Sequence, residues 1–247
     1  VSLFFGGMVG VVDFEPQFVT TASFLNVDIC LVLDRSTSMK SEIDALESGM
    51  YSNDPRFCQP PGAESRWLAL DSAVKVFTAT LRDSNAVEQV ALASYSTAEP
   101  QYVGKYCGFS NEAASIDLTL AEDLDVVDAR VTQLSGSVWN GNTNIEAGMR
   151  AGLNVLQNDA NLRESADKMM IVMTDGNETV GSAMAAADDC ESAKIRVHTI
   201  TFGADANQQL MASVASQCGG RHFHADTEQE LAAAFRELAA QAAQLTE

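Results

Sequence analysis

The sequence predicts an α/β fold: a doubly wound, mostly parallel sheet with helices on both faces, preceded by an apolar, β-rich N-terminal extension. Three observations carry this expectation. From residue 27 onward, strand-like and helix-like patterns alternate, the order expected of strands joined by crossover helices. Two strand-like runs, Val27–Leu33 and Met169–Met173, are almost wholly apolar, as strands buried on both faces are. The helical stretches repeat their apolar residues three and four apart.

Taken in order, the first strand is Val27–Leu33. A helix is predicted after Glu64, with Trp67, Leu70, Val74, Phe77 and Leu81 on its buried side. The next strand is Gln89–Tyr95, and Ser115–Leu120 alternates as an edge strand does. Leu124–Leu134 places Val127, Val131 and Leu134 on one helical face, and Ile145–Leu156 is a second helix behind a Gly-Asn-Thr-Asn loop. Lys168–Thr174 is a core strand, Ser182–Ser192 an Ala-rich helix and Ile195–Phe202 another strand. Asn207–Ser216 is a helix stopped by Gly219-Gly220. Arg221–Ala225 is the last strand, and Thr227–Leu245 the closing helix, started by a Thr227/Glu230 capping box.

Two long connections exceed this plan. Residues 40–64 form an insertion with Cys58 and Pro60-Pro61-Gly62, and residues 96–112 form a second long loop with Cys107. Loops of this length in a compact domain are usually functional. The loop after the first strand leaves the carboxyl edge of the sheet, where ligands bind, so the insertion should border a site there. Residues 1–26 fall outside the core plan. The expected organisation is an N-terminal extension over 1–26, for packing or strand exchange, and one domain over 27–247 carrying the insertion. A start at Val1 without Met or signal peptide reads as a removed leader or a fragment. No uncharged apolar run approaches the ~20 residues of a membrane-spanning helix.

Fifteen basic against 34 acidic residues give a net charge of −19. Such a surface repels nucleic acid and anionic lipid, and no nucleic-acid partner is expected. The five cysteines contain no Cys-x-x-Cys pair, against a zinc ribbon or a thioredoxin-like motif. Cys30 sits within the first strand as a small core hydrophobe. The other four, Cys58, Cys107, Cys190 and Cys218, allow three pairings. Proximity in the expected fold favours Cys58–Cys107 with Cys190–Cys218, which implies an oxidising compartment. Five free thiols in a cytosolic protein are the alternative.

Three short segments carry the chemistry: Asp34-Arg35-Ser36-Thr37-Ser38, Gly141-Asn142-Thr143-Asn144 and Thr174-Asp175-Gly176. Each follows an apolar run or opens a helix, and each offers hard oxygen ligands. A turn leaving a strand tip projects alternate side chains toward one point. Asp34 would supply charge there, and Ser36 and Ser38 neutral hydroxyls. Thr143 and Asp175 would close the shell from two other loops. Oxygen-only sites with few carboxylates suit Mg²⁺, with Mn²⁺ or Ca²⁺ as alternatives. Few direct carboxylates leave such an ion electrophilic, with a position open to a further oxygen.

The set resembles the metal-ion-dependent adhesion site (MIDAS) of the von Willebrand factor A (VWA) family. That motif is Asp-x-Ser-x-Ser, a loop Thr and a loop Asp, and all five positions are filled, with Arg35 and Thr37 at the variable ones. The resemblance covers about residues 27–245 and implies a VWA, Rossmann-like fold. It implies a Mg²⁺ site completed by an Asp or Glu of a protein or glycoprotein ligand. Val32–Ser36, Trp139–Thr143 and His198–Gly203 are similar to VWA domains of bacterial surface and tight-adherence pilus-associated proteins. Arg35, Thr37, Trp139, Asn142 and Asn144 are the candidates for touching the ligand. For Trp139, packing under its loop is the preferred reading and ligand contact the second.

Rival sites are weaker. His222 and His224 share a strand face but lack a third zinc ligand, and His198 reads as a structural core histidine. Asp188-Asp189 reads as a solvated helix face. No Gly-x-Ser-x-Gly elbow, P-loop or Gly-x-Gly-x-x-Gly occurs. No His lies beside Ser36 or Asp175 to act as a general base, so no enzyme is expected. The expected function is an exported, extracellular or cell-surface, metal-dependent adhesion or protein-binding module. A structural subunit of a pilus or other surface filament, self-associating through residues 1–26, is the first alternative. An intracellular VWA partner of an AAA+ ATPase is the second.

Overall fold

The structure, a computed structural model, describes residues 26–44, 54–84, 87–98, 107 and 112–244. The N-terminal extension, with its expected β character, lies outside the described residues.

Six strands form one sheet: β1 (Val27–Asp34), β2 (Gln89–Tyr95), β3 (Ala114–Ala121), β4 (Asp167–Thr174), β5 (Arg196–Phe202) and β6 (His222–Ala225). Their order is β3-β2-β1-β4-β5-β6. All neighbours are parallel except β2 and β3, which pair antiparallel at the edge. The helices are α1 (Arg66–Arg82), α2 (Leu124–Ser135), α3 (Ile145–Asn158), α4 (Ala183–Ser192), α5 (Gln208–Gln217) and α6 (Glu228–Gln244). Short 3₁₀ turns cover Thr37–Lys40 and Pro55–Cys58.

The alternation of β1 decides which helices lie on which face. Ile29, Leu31 and Leu33 pack with Leu70 and Phe77 of α1, Val127 of α2 and Phe235 of α6. Cys30 and Val32 point the other way, into a layer with Met149 of α3, Ala186 of α4 and Val214 of α5. Every residue of β1 and β2 is buried, as their apolar runs require. Helix α3 lies very close to the sheet. A Cβ on Gly148 would come within 2.3 Å of the Tyr95 ring, and one on Gly152 within 2.8 Å of Val32. The Thr227/Glu230 capping box forms as the sequence predicts, with reciprocal bonds of 3.1 and 3.2 Å.

Strand β1 is followed by α1 on one face, and its neighbour β4 by α4 on the other. This is a topological switch point, and the carboxyl ends of β1 and β4 flank the crevice it opens. Asp34 ends β1, and Asp175 directly follows β4.

Cys58 and Cys107 are disulfide-bonded, joining the two long loops across 49 positions of sequence. The expected Cys190–Cys218 bond is not formed, and both residues are buried free thiols, as is Cys30. Cys218 Sγ turns to the carbonyl of Ala187 at 3.5 Å, in the apolar layer shared by α4 and α5. Burial pushes the Cys190 thiol up to about 12 and that of Cys218 to about 11, which keeps both protonated and unreactive. Proximity in the fold was the right criterion for one pair, whereas in the other the thiols pack as apolar groups. The unreduced, denatured protein should therefore show three free thiols by dithiol-exchange titration, not the single one that two disulfides would leave.

Candidate metal centre

The first loop builds on the strand tip. Asp34 is fully buried, and its Oδ1 accepts the backbone N–H of Ser36 at 2.7 Å, fixing the turn. Its Oδ2 accepts from Thr174 Oγ1 at 2.8 Å and from the Tyr95 hydroxyl at 3.4 Å. Tyr95 also donates to the carbonyl of Met173, so β2, β1 and β4 meet at this one carboxylate. Burial and the nearby Asp34 charge push the Tyr95 phenol well above its ordinary range, so it remains a donor.

From Asp34 the oxygens run on in a short chain. Ser36 Oγ lies 2.9 Å from Ser38 Oγ, and Ser38 Oγ donates to Asp175 Oδ1 at 2.8 Å. The third loop is tied in through its neighbours. The Thr37 N–H and hydroxyl donate to the Gly141 carbonyl at 2.9 and 3.1 Å. Gly141 has φ +130°, and a Cβ there would meet Thr97 N at 3.0 Å, so glycine is required. Thr143 is buried, and a Cβ on Gly176 would lie 3.4 Å from its Oγ1, which places that hydroxyl against the Asp175 loop. Asp34, Ser36, Ser38, Thr143 and Asp175 are thus gathered from three loops at the sheet's carboxyl edge.

The donor set contains two carboxylates and three hydroxyls, and no thiolate or imidazole. It fits a hard divalent ion such as Mg²⁺, which takes oxygen ligands and keeps some waters. Among the described residues no cluster of three or more His, Cys, Asp or Glu residues is placed to hold a metal. His222 and His224 bond instead to Thr199 and Thr201. His198 is buried and accepts the Arg221 N–H at 3.1 Å. Asp189 pairs with Arg150 at the surface.

The five candidates for touching a ligand are not equivalent. Arg35 is buried, and its guanidinium turns to the edge strand, donating to Glu112 O at 2.7 Å and to Ser115. It braces β3 and does not face the site. Trp139 is 3% exposed and stacks on Trp67 at 4.9 Å, so it packs under its loop. Asn144 is the N-cap of α3, its Oδ1 accepting from Ala147 N at 2.9 Å. Thr37 is half-buried and staples two loops together. Asn142 is exposed at the rim.

Three residues that sequence reasoning missed complete the surroundings. Arg66, the first residue of α1, donates through Nη1 to Asp175 Oδ2 at 2.9 Å, in an ion pair exposed by only 2% and 0%. Lys40 is buried and donates to the carbonyls of Phe57 and Gln59 and to Asn140 Oδ1, with its ammonium 5.3 Å above the Trp139 ring. It fastens the insertion to the loop that carries Thr143. Tyr95 is the third. Arg66 did leave a signal: a charge heading the apolar stripe Leu70, Val74, Phe77 and Leu81.

Comparison with known proteins agrees with this fold. The sequence profile of the von Willebrand factor type A domain matches residues 60–238, beginning beyond Asp34–Ser38 and most of the insertion. No curated protein matches the chain significantly. Among solved structures, an aerotolerance-related membrane protein from Bacteroides fragilis superposes with TM-score 0.62 at 16% identity, covering 87% of this chain and 100% of that one. The PilB minor pilin from Streptococcus sanguinis superposes with TM-score 0.66 at 17% identity, covering 93% of this chain and 64% of the pilin. Proximal thread matrix protein 1 from the mussel byssus, solved with a zinc-occupied MIDAS motif, gives 0.60 at 15% identity, covering 91% of this chain and 47% of that one. The chain therefore spans about half to two thirds of the pilin and byssus proteins. At these identities the likeness is one of fold.

The two carboxylates repel each other. Burial first, and the charge of Asp175 second, push Asp34 up to about 7. Asp175 is raised by burial and pulled back by Arg66. An unfolded Asp loses its proton near 3.9. Between about pH 4 and 7 the folded chain therefore binds more protons at Asp34 than the unfolded chain, and stability falls as pH rises through that window. In chelator, the thermal midpoint of the wild type should drop relative to Asp34→Asn from about pH 5 to about pH 7.5. Parallel melting curves for the two proteins across that range would show that Asp34 is not held protonated.

Proposed function

This chain belongs to the von Willebrand factor type A family, and on that premise we propose that it is an exported, Mg²⁺-dependent protein-binding module. VWA domains are usually non-catalytic modules that bind protein ligands. The observation that carries the proposal is the chain of oxygens from Ser36 through Ser38 to Asp175, with Asp34 fixed beside it.

In this reading Asp34, Ser36, Ser38, Thr143 and Asp175 hold the ion, directly or through water. A bound Mg²⁺ would supply one electrophilic position for a carboxylate oxygen of the partner. The protein residues hold that position ready. Tyr95 and Thr174 donate to Asp34 Oδ2 and Arg66 to Asp175 Oδ2, while the Ser36 N–H and Ser38 Oγ donate to the two Oδ1 atoms, so both carboxylates are held in a fixed orientation. Asn142, at the rim beside Thr143, is the residue placed to touch the partner's backbone or side chains.

Export is supported by the Cys58–Cys107 disulfide, which an oxidising compartment sustains. The same disulfide weighs against the intracellular partnership with an AAA+ ATPase. No helix among the described residues is long and apolar enough to cross a membrane.

Asp34→Ala and Thr143→Ala should each abolish the rise in thermal midpoint that Mg²⁺ gives the wild type, with little change in chelator for Thr143→Ala. An Mg²⁺-induced shift that survives in both variants would place the metal elsewhere and defeat the proposal.

A second reading has its own support. The pilin likeness covers 93% of this chain, and the sequence of residues 1–26 is apolar and outside the domain proposed over 27–247. Such a segment is suited to adding a strand to a neighbouring sheet edge in a filament. Negative-stain images should then show filaments for the full chain and none after removal of 1–26, and monodisperse particles for both would end this reading.

A further inference from the structure

Arg66 is, among the described residues, the cation that pairs directly with one of the motif's carboxylates, and the oxygen-ligand motif does not call for it. Its backbone N–H donates to Ser41 O at 2.9 Å, which holds the start of α1 against the first loop. Its side chain runs inward. The guanidinium packs against Gly203, where a Cβ would lie 3.5 Å from Cζ, and reaches Asp175 Oδ2 at 2.9 Å. Asp205, 39% exposed at the rim, lies 3.8 Å from Nη2 and is screened by solvent. Arginine stays charged under all ordinary conditions. Among the described residues, the five candidate ligands carry two buried carboxylates, Asp34 and Asp175, and the guanidinium of Arg66 pairs directly with the second.

Counting those charges leads to a functional consequence, which rests on reading the oxygen cluster as a Mg²⁺ site. Two carboxylates alone would neutralise a divalent ion fully. With Arg66 present they fall short by one charge, and in a poorly solvated site a residual charge is costly. A single carboxylate from outside makes up the difference.

We propose that Arg66 is a positioning residue that sets metal affinity and couples it to the ligand. It keeps the intrinsic affinity for Mg²⁺ low and makes an external carboxylate bind cooperatively with the ion. It does so by cancelling one buried carboxylate charge and by withdrawing Asp175 Oδ2 from the coordination sphere. By reciprocity, Mg²⁺ raises the affinity for the carboxylate by the same factor as the carboxylate raises that for Mg²⁺. A site built this way loads its metal together with an acidic partner.

The test is calorimetric titration of the full chain with Mg²⁺ alone, in chloride and then in acetate at equal ionic strength. The proteins are the wild type, Arg66→Met, Arg66→Gln and Arg66→Lys. Gln keeps a donor toward Asp175 without the charge, and serves if the Met variant fails to fold. Lys keeps the charge. The neutral variants should bind Mg²⁺ more tightly than the wild type, on the order of tenfold or more for one like charge removed beside a partly buried ion. Arg66→Lys should stay close to the wild type. Acetate should tighten Mg²⁺ binding by the wild type and leave the neutral variants unchanged. Equal Mg²⁺ affinity in the wild type and Arg66→Gln, or the same acetate effect in both, overturns the role of Arg66 while leaving the metal site standing. Failure of the wild type to bind Mg²⁺ at all, in chloride or acetate, overturns the site itself.

Discussion

Two carboxylates buried at the ends of adjacent parallel strands are the constraint around which this molecule is arranged. Asp34 and Asp175 have no exposure to water, and each raises the cost of ionising the other. Buried charges persist only where hydrogen bonds and counter-charges support them. Here the support comes from across the sheet: Tyr95 from β2, Thr174 from β4, Ser38 from the first loop and Arg66 from α1. Each supporter is held by ordinary packing. Tyr95 is wedged beneath α3 by the absence of a side chain at Gly148, and Arg66 by the cap of α1 and the bare backbone of Gly203. Two carboxylates buried in one crevice are costly without counter-charge, and Arg66 offsets part of that cost at Asp175.

What was legible in the sequence is what local geometry decides. The nearly continuous apolar run Val27–Leu33 predicted the two-sided burial of β1, and the turn after it brought Asp34, Ser36 and Ser38 to one side. The alternation of side chains along a strand bears on Arg35, which as a neighbour of Asp34 should point away from it, and it does. Arg66 and Tyr95 were not legible as site residues. Their roles depend on partners 109 and 61 positions distant, and only the assembled sheet brings these together. Trp139 drops out of the ligand candidates in favour of the reading the sequence preferred, packing under its loop, and Trp67, packed against it from α1, decides the matter. The unformed Cys190–Cys218 bond shows the limit of arguing from neighbouring elements, because the direction of each thiol is a packing outcome.

The insertion is anchored to the site through a buried cation. Burial lowers the Lys40 ammonium to about 8, yet it satisfies three acceptors and lies over an aromatic face. Two of those acceptors belong to the insertion and the third to Asn140, one residue before the Gly141–Asn144 loop. The Cys58–Cys107 bond then ties the same segment to the loop after β2. The covalent link and the buried lysine therefore act on one unit: the border of the metal crevice is a braced wall, with its described part continuous with the ligand-bearing loops.

A net charge of −19 gives the final constraint on what such a site can do. A partner offering a carboxylate approaches a surface that repels it at long range, and that repulsion weakens with added salt. On the proposed reading, attraction would begin only near a bound ion, whose localised positive field would replace the diffuse negative one. Binding selected in this way favours a carboxylate presented on a neutral or basic surface over one within an acidic cluster. The buried positive charge of Arg66 works in the same direction. It is almost fully buried and paired with Asp175, so solvent screens it little. On the proposed reading, the overall acidity would reject anions in general and the crevice would readmit one carboxylate at one place.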